Sequence, residues 1–172
     1  MKYQTLIHPL FACFIFLAGA LNAANWPNWR GPNYDGSTTA KSLPTKFSKT
    51  ENVTWSTNLP GPSASTPIVW EDKIFLSSIG KKDGKLLALC IDRKSGKVLW
   101  QKAAGSGYQP GNAGETWRLD NRSNYCSPSP VTDGKIVIFF FGNGDLVAYS
   151  VNGGQKWARN LQKDYGDFTF QW

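Results

Sequence analysis

Apolar residues in this chain fall in short runs between polar breaks, and the runs repeat. Lys73 to Ile79 (KIFLSSI) and Lys85 to Asp92 (KLLALCID) are apolar at consecutive positions, as expected of strands covered on both faces. Lys97 to Lys102 (KVLWQK) is more polar, as suits an outer edge. With Thr66 to Val69 ahead of them, and turns at Glu71-Asp72, Asp83-Gly84 and Ser95-Gly96, these runs predict a unit of four short strands. A second unit follows the same plan: Ser129 to Thr132, Lys135 to Phe141, Asp145 to Val151 and Gln155 to Leu161. Its turns are Asp133-Gly134, Asn143-Gly144 and Gly153-Gly154. Thr66-Pro67 matches Ser129-Pro130, Ala88 matches Ala148, Gly96 matches Gly153 and Trp100 matches Trp157. Four strands per unit at a period of about 40–50 residues is the pattern of a β-propeller blade. The fold class is therefore all-β, with about two four-stranded antiparallel blades.

The segments around these units complete the domain plan. Val53 to Gly61, containing Trp55, reads as a leading strand stopped by Pro60-Gly61-Pro62. The first blade spans 65–103, a Gly/Asn-rich insertion spans 104–125, the second blade spans 127–162, and 163–172 begins a further segment. Residues 24–52 form an N-terminal latch and an irregular stretch. In the latch, Trp26 and Trp29 bracket Pro27 and are expected to pin the segment by burying their rings. The alternative for the latch is an aromatic ligand platform around Arg30. Stacked units need about three copies to bury a continuous core, so the chain is expected to be the N-terminal portion of a longer protein whose other blades complete the ring.

Residues 1–23 read as a signal peptide: Lys2, an apolar run from Leu10 to Leu21, then cleavage after Ala20 or Ala23. The run is short for a membrane span, so no span is expected after its removal, and the protein is expected in the periplasm or outside the cell. A retained anchor, or lipidation at Cys13, are the alternatives. Removal takes away His8, the only histidine, and with it any Ser-His-Asp or Cys-His catalysis and any His-ligated metal. Cys90 and Cys126 remain. Two buried, unpaired thiols are expected, with a Cys90–Cys126 bridge as the alternative.

Composition then narrows function. The 172 residues include eight Trp, ten Phe and six Tyr, and carry a formal net charge of +7. Lys and Arg are scattered through turns and edges and form no stripe, which argues against nucleic acid. The chain contains no P-loop, no GxGxxG opening a helix and no DxDxDG calcium loop. Asp92, Asp133 and Asp145 sit beside turns, where a carboxylate bonds nearby backbone N–H groups. No catalytic set is assembled. The insertion carries Trp117, Arg118, Asn121, Arg122 and Tyr125, which could bind a protein or a glycan from a rigid scaffold. These five are the candidate ligand surface.

Cys90 to Trp100 (CIDRKSGKVLW) resembles the tryptophan-docking repeat, A-x-D-x-x-T-G-x-x-x-W, of PQQ-binding-like, quinoprotein-type β-propellers. Asp92, Gly96 and Trp100 match, while Cys90 and Ser95 replace Ala and Thr. A degenerate second copy keeps Gly153 and Trp157. The resemblance implies that Trp55, Trp100 and Trp157 dock structurally on neighbouring blades. NWPNWRGPNYDG, STPIVW and NYCSPSPVTDGKI resemble the exported bacterial branch of that family. The resemblance implies one of three roles. The first, favoured by the motifs, is a non-catalytic binding or scaffold module. The second is the N-terminal part of a PQQ-dependent alcohol or sugar dehydrogenase using PQQ with Ca²⁺. The third is an accessory propeller of outer-membrane protein assembly.

Overall fold

The computed structural model describes residues 25–41, 43–105 and 124–168. They form two four-stranded antiparallel sheets, each strand pairing with the next in sequence. The first sheet comprises β1 (Ile68–Trp70), β2 (Lys73–Ile79), β3 (Leu86–Asp92) and β4 (Val98–Gly105). The second comprises β5 (Val131–Thr132), β6 (Ile136–Phe140), β7 (Asp145–Ser150) and β8 (Gln155–Asn160). Each hairpin turns where the glycine and acidic pairs predict. Gly84, Gly96, Gly134, Gly144 and Gly153 have positive φ, the backbone region that glycine enters without penalty.

Register shows how the two sheets correspond. Across the first sheet, Ile68, Phe75, Cys90 and Trp100 lie in one row. Across the second, the row is Val131, Ile138, Ala148 and Trp157. Ala148 therefore corresponds to Cys90, not to Ala88 as a comparison of the two sequences suggests. The second β7–β8 turn is shorter than the first β3–β4 turn, so counting back from Trp157 reaches a different strand position.

Side-chain alternation explains the apolar runs. Leu86, Ala88 and Cys90 of β3 point into a core between the two sheets, beside Phe75 and Ile79 of β2. Val137, Phe139, Val147 and Tyr149 of the second sheet close that core. Leu87, Leu89 and Ile91 point to the opposite face of the first sheet and pack with Leu76, Ile74, Trp55 and Leu59. Both faces of β3 are thus covered, and six of its seven residues are buried.

Trp55 covers that second face, but the predicted leading strand is absent. Residues 53–59 belong to no strand and join no sheet ladder. The segment holds to the sheet by its side chains. β8 ends in a short helix that the sequence reading missed, α1 (Leu161–Tyr165), whose first turn is capped by Asn160 accepting from the Lys163 N–H.

Two tryptophans join the sheets. The Trp100 ring lies against Gly153 and packs with Phe75, Phe139 and Tyr149 at centroid distances of 5.6–6.2 Å. Its indole N–H donates to the Val151 carbonyl at 3.1 Å. Trp70, at the end of β1, covers Gly134, where a Cβ would lie 2.3 Å from the ring. On the far face of the first sheet Trp55 covers Gly96 in the same way as Trp100 covers Gly153, donating to the Arg93 carbonyl at 2.9 Å. Trp157 occupies the row position of Trp100, yet the residue is 38% exposed.

Trp100→Ala should cost about 3–5 kcal/mol by chemical denaturation, the range for truncating a packed aromatic. Trp157→Ala, at the corresponding row position, should cost less than about 1 kcal/mol in the same chain. Equal losses would show that row position, not the contacts each ring makes, sets the effect. Gly134→Ala should cost about 1–3 kcal/mol, because it adds left-handed strain to a clash with Trp70.

Candidate binding surface

Antiparallel pairing sends the β2–β3 turn and the exit of β4 to the same end of the first sheet. The β6–β7 turn and the exit into α1 share the matching end of the second. The two ends are adjacent: Gly105 lies so near Asp145 that a Cβ there would sit 2.1 Å from its Oδ2. The insertion therefore leaves from and returns to this end of both sheets. Trp117, Arg118, Asn121 and Arg122 lie outside the described residues. Tyr125 is half-buried and packs on the core between the sheets, and its carbonyl accepts from the Gly142 N–H at 2.9 Å.

The return of the insertion is a buried corner that sequence reasoning missed. Asn124 is buried, and its Oδ1 accepts from the Cys126 N–H at 2.8 Å. The Asn124 N–H donates to Ser127 Oγ at 2.8 Å, and Ser77 Oγ donates to the Cys126 carbonyl at 3.1 Å. The Asn-x-x-Ser spacing was the available signal, since such side chains commonly close local turns.

A polar network fastens α1 to the same end. Asp145 accepts from Asn143 Nδ2 at 2.7 Å and from Asn160 Nδ2 at 2.8 Å, and Gln162 Nε2 donates to the Asn143 carbonyl at 3.0 Å. Its acceptors and donors are spent on one another.

Two carboxylates beside turns, Asp92 and Asp133, are similarly occupied. Asp92 accepts from the Ser95 hydroxyl and N–H, which lowers its pKa from the ordinary value. Asp133 accepts from the Ile136 and Lys135 N–H groups, with the same effect. Cys90 and Cys126 are free and buried, and burial pushes each thiol up to about 12. Among the described residues no group of three or more His, Cys, Asp or Glu could hold a metal ion. No helix among them is long and apolar enough to cross a membrane.

The N-terminal segment behaves differently from the expectation for it. Trp26 exchanges two backbone hydrogen bonds with Val69 (2.7 and 2.9 Å), and the Pro27 carbonyl accepts from the Thr132 N–H at 3.0 Å. One short stretch thus ties the first strands of both sheets. The Trp26 ring covers Gly31. Trp29 does not bury: it is 63% exposed, with the Arg30 guanidinium 5.8 Å from its ring. Backbone pairing, with one ring and not two, holds this segment.

Two adjoining four-stranded antiparallel sheets, stacked face to face with the same sense of packing, are blades of a PQQ-like β-propeller. Residues 38–167 match the family model described as outer membrane protein assembly factor BamB, and the chain belongs to that family. Among solved structures, a similar chain is BamB from Moraxella catarrhalis, at 19% sequence identity and a TM-score of 0.42. The match covers 62% of this chain and 26% of that one, so the chain spans about a quarter of that structure's length. No curated protein matches.

Neither thiol should react with Ellman's reagent in the native protein at pH 8, and both should react once guanidinium unfolds it. Rapid native labelling would contradict their burial. A thiol whose pKa is raised by folding stabilises the native state below its unfolded value and loses that contribution as pH rises. Stability should therefore decline from about pH 9 towards 12, and Cys→Ser variants should flatten that decline. The lowered carboxylates act in the opposite direction, stabilising above about pH 4 and losing effect as pH falls through their folded values. Asp92→Asn and Asp133→Asn should weaken the acid dependence seen by urea titration.

Proposed function

We propose that this chain is part of an exported, non-catalytic propeller that serves outer-membrane protein assembly by holding a protein partner in the periplasm. The observation that carries the reading is the structural employment of the reactive groups. The carboxylates of Asp92 and Asp133 close their own turns, Asp145 lies between two amides, and both thiols are buried. What the blades leave available is shaped surface, which suits binding. The family described as an outer-membrane assembly factor supplies the setting.

The described residues do not fit PQQ with Ca²⁺. A hard cation needs several oxygen ligands converging on one point, and these carboxylates are dispersed and already bonded. The contacts of Trp55 with Gly96 and of Trp100 with Gly153 fit the docking role implied by the repeat, in which each blade is fastened to its neighbour, and Trp157 is the third ring proposed for that role.

Deleting the gene in its own organism should lower the amount of folded outer-membrane barrels, measured by heat-modifiable gel mobility. The purified full-length protein should show no dye-linked oxidation of alcohols or glucose when given PQQ and Ca²⁺. Unchanged barrel levels would overturn the assembly role. Turnover with PQQ would overturn the non-catalytic one.

A further inference from the structure

We infer that Asn152 is a site of spontaneous deamidation, and that its isoaspartyl product loosens the contact between the two sheets. This modification goes beyond the binding role and does not depend on it.

The sequence holds two Asn-Gly pairs, Asn143-Gly144 and Asn152-Gly153. Asparagine before glycine is the pairing most prone to cyclise, because glycine has no Cβ to hinder attack by its own nitrogen. The structure separates the two pairs. Asn143 is half-buried, its Nδ2 donates to Asp145 Oδ2 at 2.7 Å, and its Oδ1 accepts from the Asp145 N–H at 3.1 Å. Its carbonyl also accepts from Gln162 Nε2 at 3.0 Å, which ties the turn to α1. Asn152 is exposed, and among the described residues its side chain has no hydrogen-bond partner. That amide is free to turn Cγ towards the Gly153 nitrogen, and solvent reaches it. Both glycine nitrogens are bonded within their turns: Gly144 N–H donates to the Phe141 carbonyl at 2.9 Å and Gly153 N–H to the Ser150 carbonyl at 2.8 Å. This barrier is common to both pairs, so the freedom of the side chain decides between them.

The reaction needs only water and hydroxide. The Gly153 nitrogen, once its proton has passed to hydroxide, attacks Asn152 Cγ. A bond forms between them, the Cγ–Nδ2 bond breaks, and Nδ2 leaves as ammonia after taking a proton from water. Water then opens the cyclic imide. Addition at Cγ gives aspartate with the main chain unchanged. Addition at the backbone carbonyl gives isoaspartate, whose main chain runs through Cβ and Cγ.

Position gives the isoaspartyl product its effect. On one side of Asn152, the Val151 carbonyl accepts the Trp100 indole N–H at 3.1 Å. On the other, Gly153 lies under the same ring at φ 89°, where a Cβ would be 3.0 Å from the indole. An extra main-chain atom between these two points displaces one against the other and disturbs the seat of Trp100. Aspartate adds only a charge on an exposed side chain.

The test incubates the full-length native protein at mildly alkaline pH. Conversion is followed at each asparagine by peptide mass spectrometry, and isoaspartate by methyl transfer from an isoaspartyl methyltransferase. Asn152 should convert about tenfold faster than Asn143, whose amide is held by two side-chain hydrogen bonds. In guanidinium the two should convert at similar rates. The melting midpoint of the incubated protein should fall by about 2 °C or more. Asn152→Ser incubated in the same way, and freshly prepared Asn152→Asp, should keep the starting midpoint. Native conversion of Asn143 as fast as that of Asn152, or no conversion at Asn152, would overturn the assignment of the site. A fall in midpoint shared by Asn152→Ser or by fresh Asn152→Asp would overturn the isoaspartyl effect on the sheet contact.

Discussion

An indole ring laid on a glycine of a tight turn, with its N–H given to a backbone carbonyl of that turn, is the contact on which this architecture depends. A single four-stranded sheet cannot bury its apolar face alone. The ring brings that face against the next sheet and leaves the turn no room for a side chain. At Gly96 a Cβ would meet Trp55 at 2.5 Å, and at Gly153 it would meet Trp100 at 3.0 Å. The glycine is needed twice, for its positive φ and for the space above it. Because the contact uses backbone acceptors, it tolerates the change from DRKSG in one unit to VNGG in the other.

The same economy shapes the polar groups. Carboxylates and amides near the turns satisfy backbone and side-chain donors that the hairpins would otherwise leave unpaired. Asp133 closes one turn, and Asp145 holds a helix to a sheet end. Groups committed in this way hold each turn and sheet end in one shape.

Much of the fold was legible before the structure. The hairpin turns announced themselves through Asp-Gly, Asn-Gly and Ser-Gly pairs, because positive φ restricts which residues can turn a strand. Burial of β3 on both faces was readable in LLALCI, since an exposed face would need polar residues at alternate positions. The burial of Cys90 was readable from its apolar strand, whereas Cys126 lies in a turn and carried no such signal. Less was legible at the candidate site. Tyr125 looked like a surface residue in a polar insertion, yet it backs the core, because the chain after the insertion must re-enter the fold. Trp29 looked like a buried latch ring, yet it stands in solvent.

By itself the sequence determined the strands, their turns and their order, because alternation and turn chemistry are local. It also limits histidine chemistry to one residue, His8. Tertiary structure alone decided that Ala148 corresponds to Cys90, because register is set by hydrogen bonds across the sheet and a shortened turn shifts any count along the chain. It alone decided that residues 53–59 cover a face without joining a ladder, since pairing needs a neighbour that no segment can specify from within. The separation of Trp26 from Trp29, one ring against the body and the other outside, likewise depends on where the two sheets stand, and no pattern within NWPNWRGP records that.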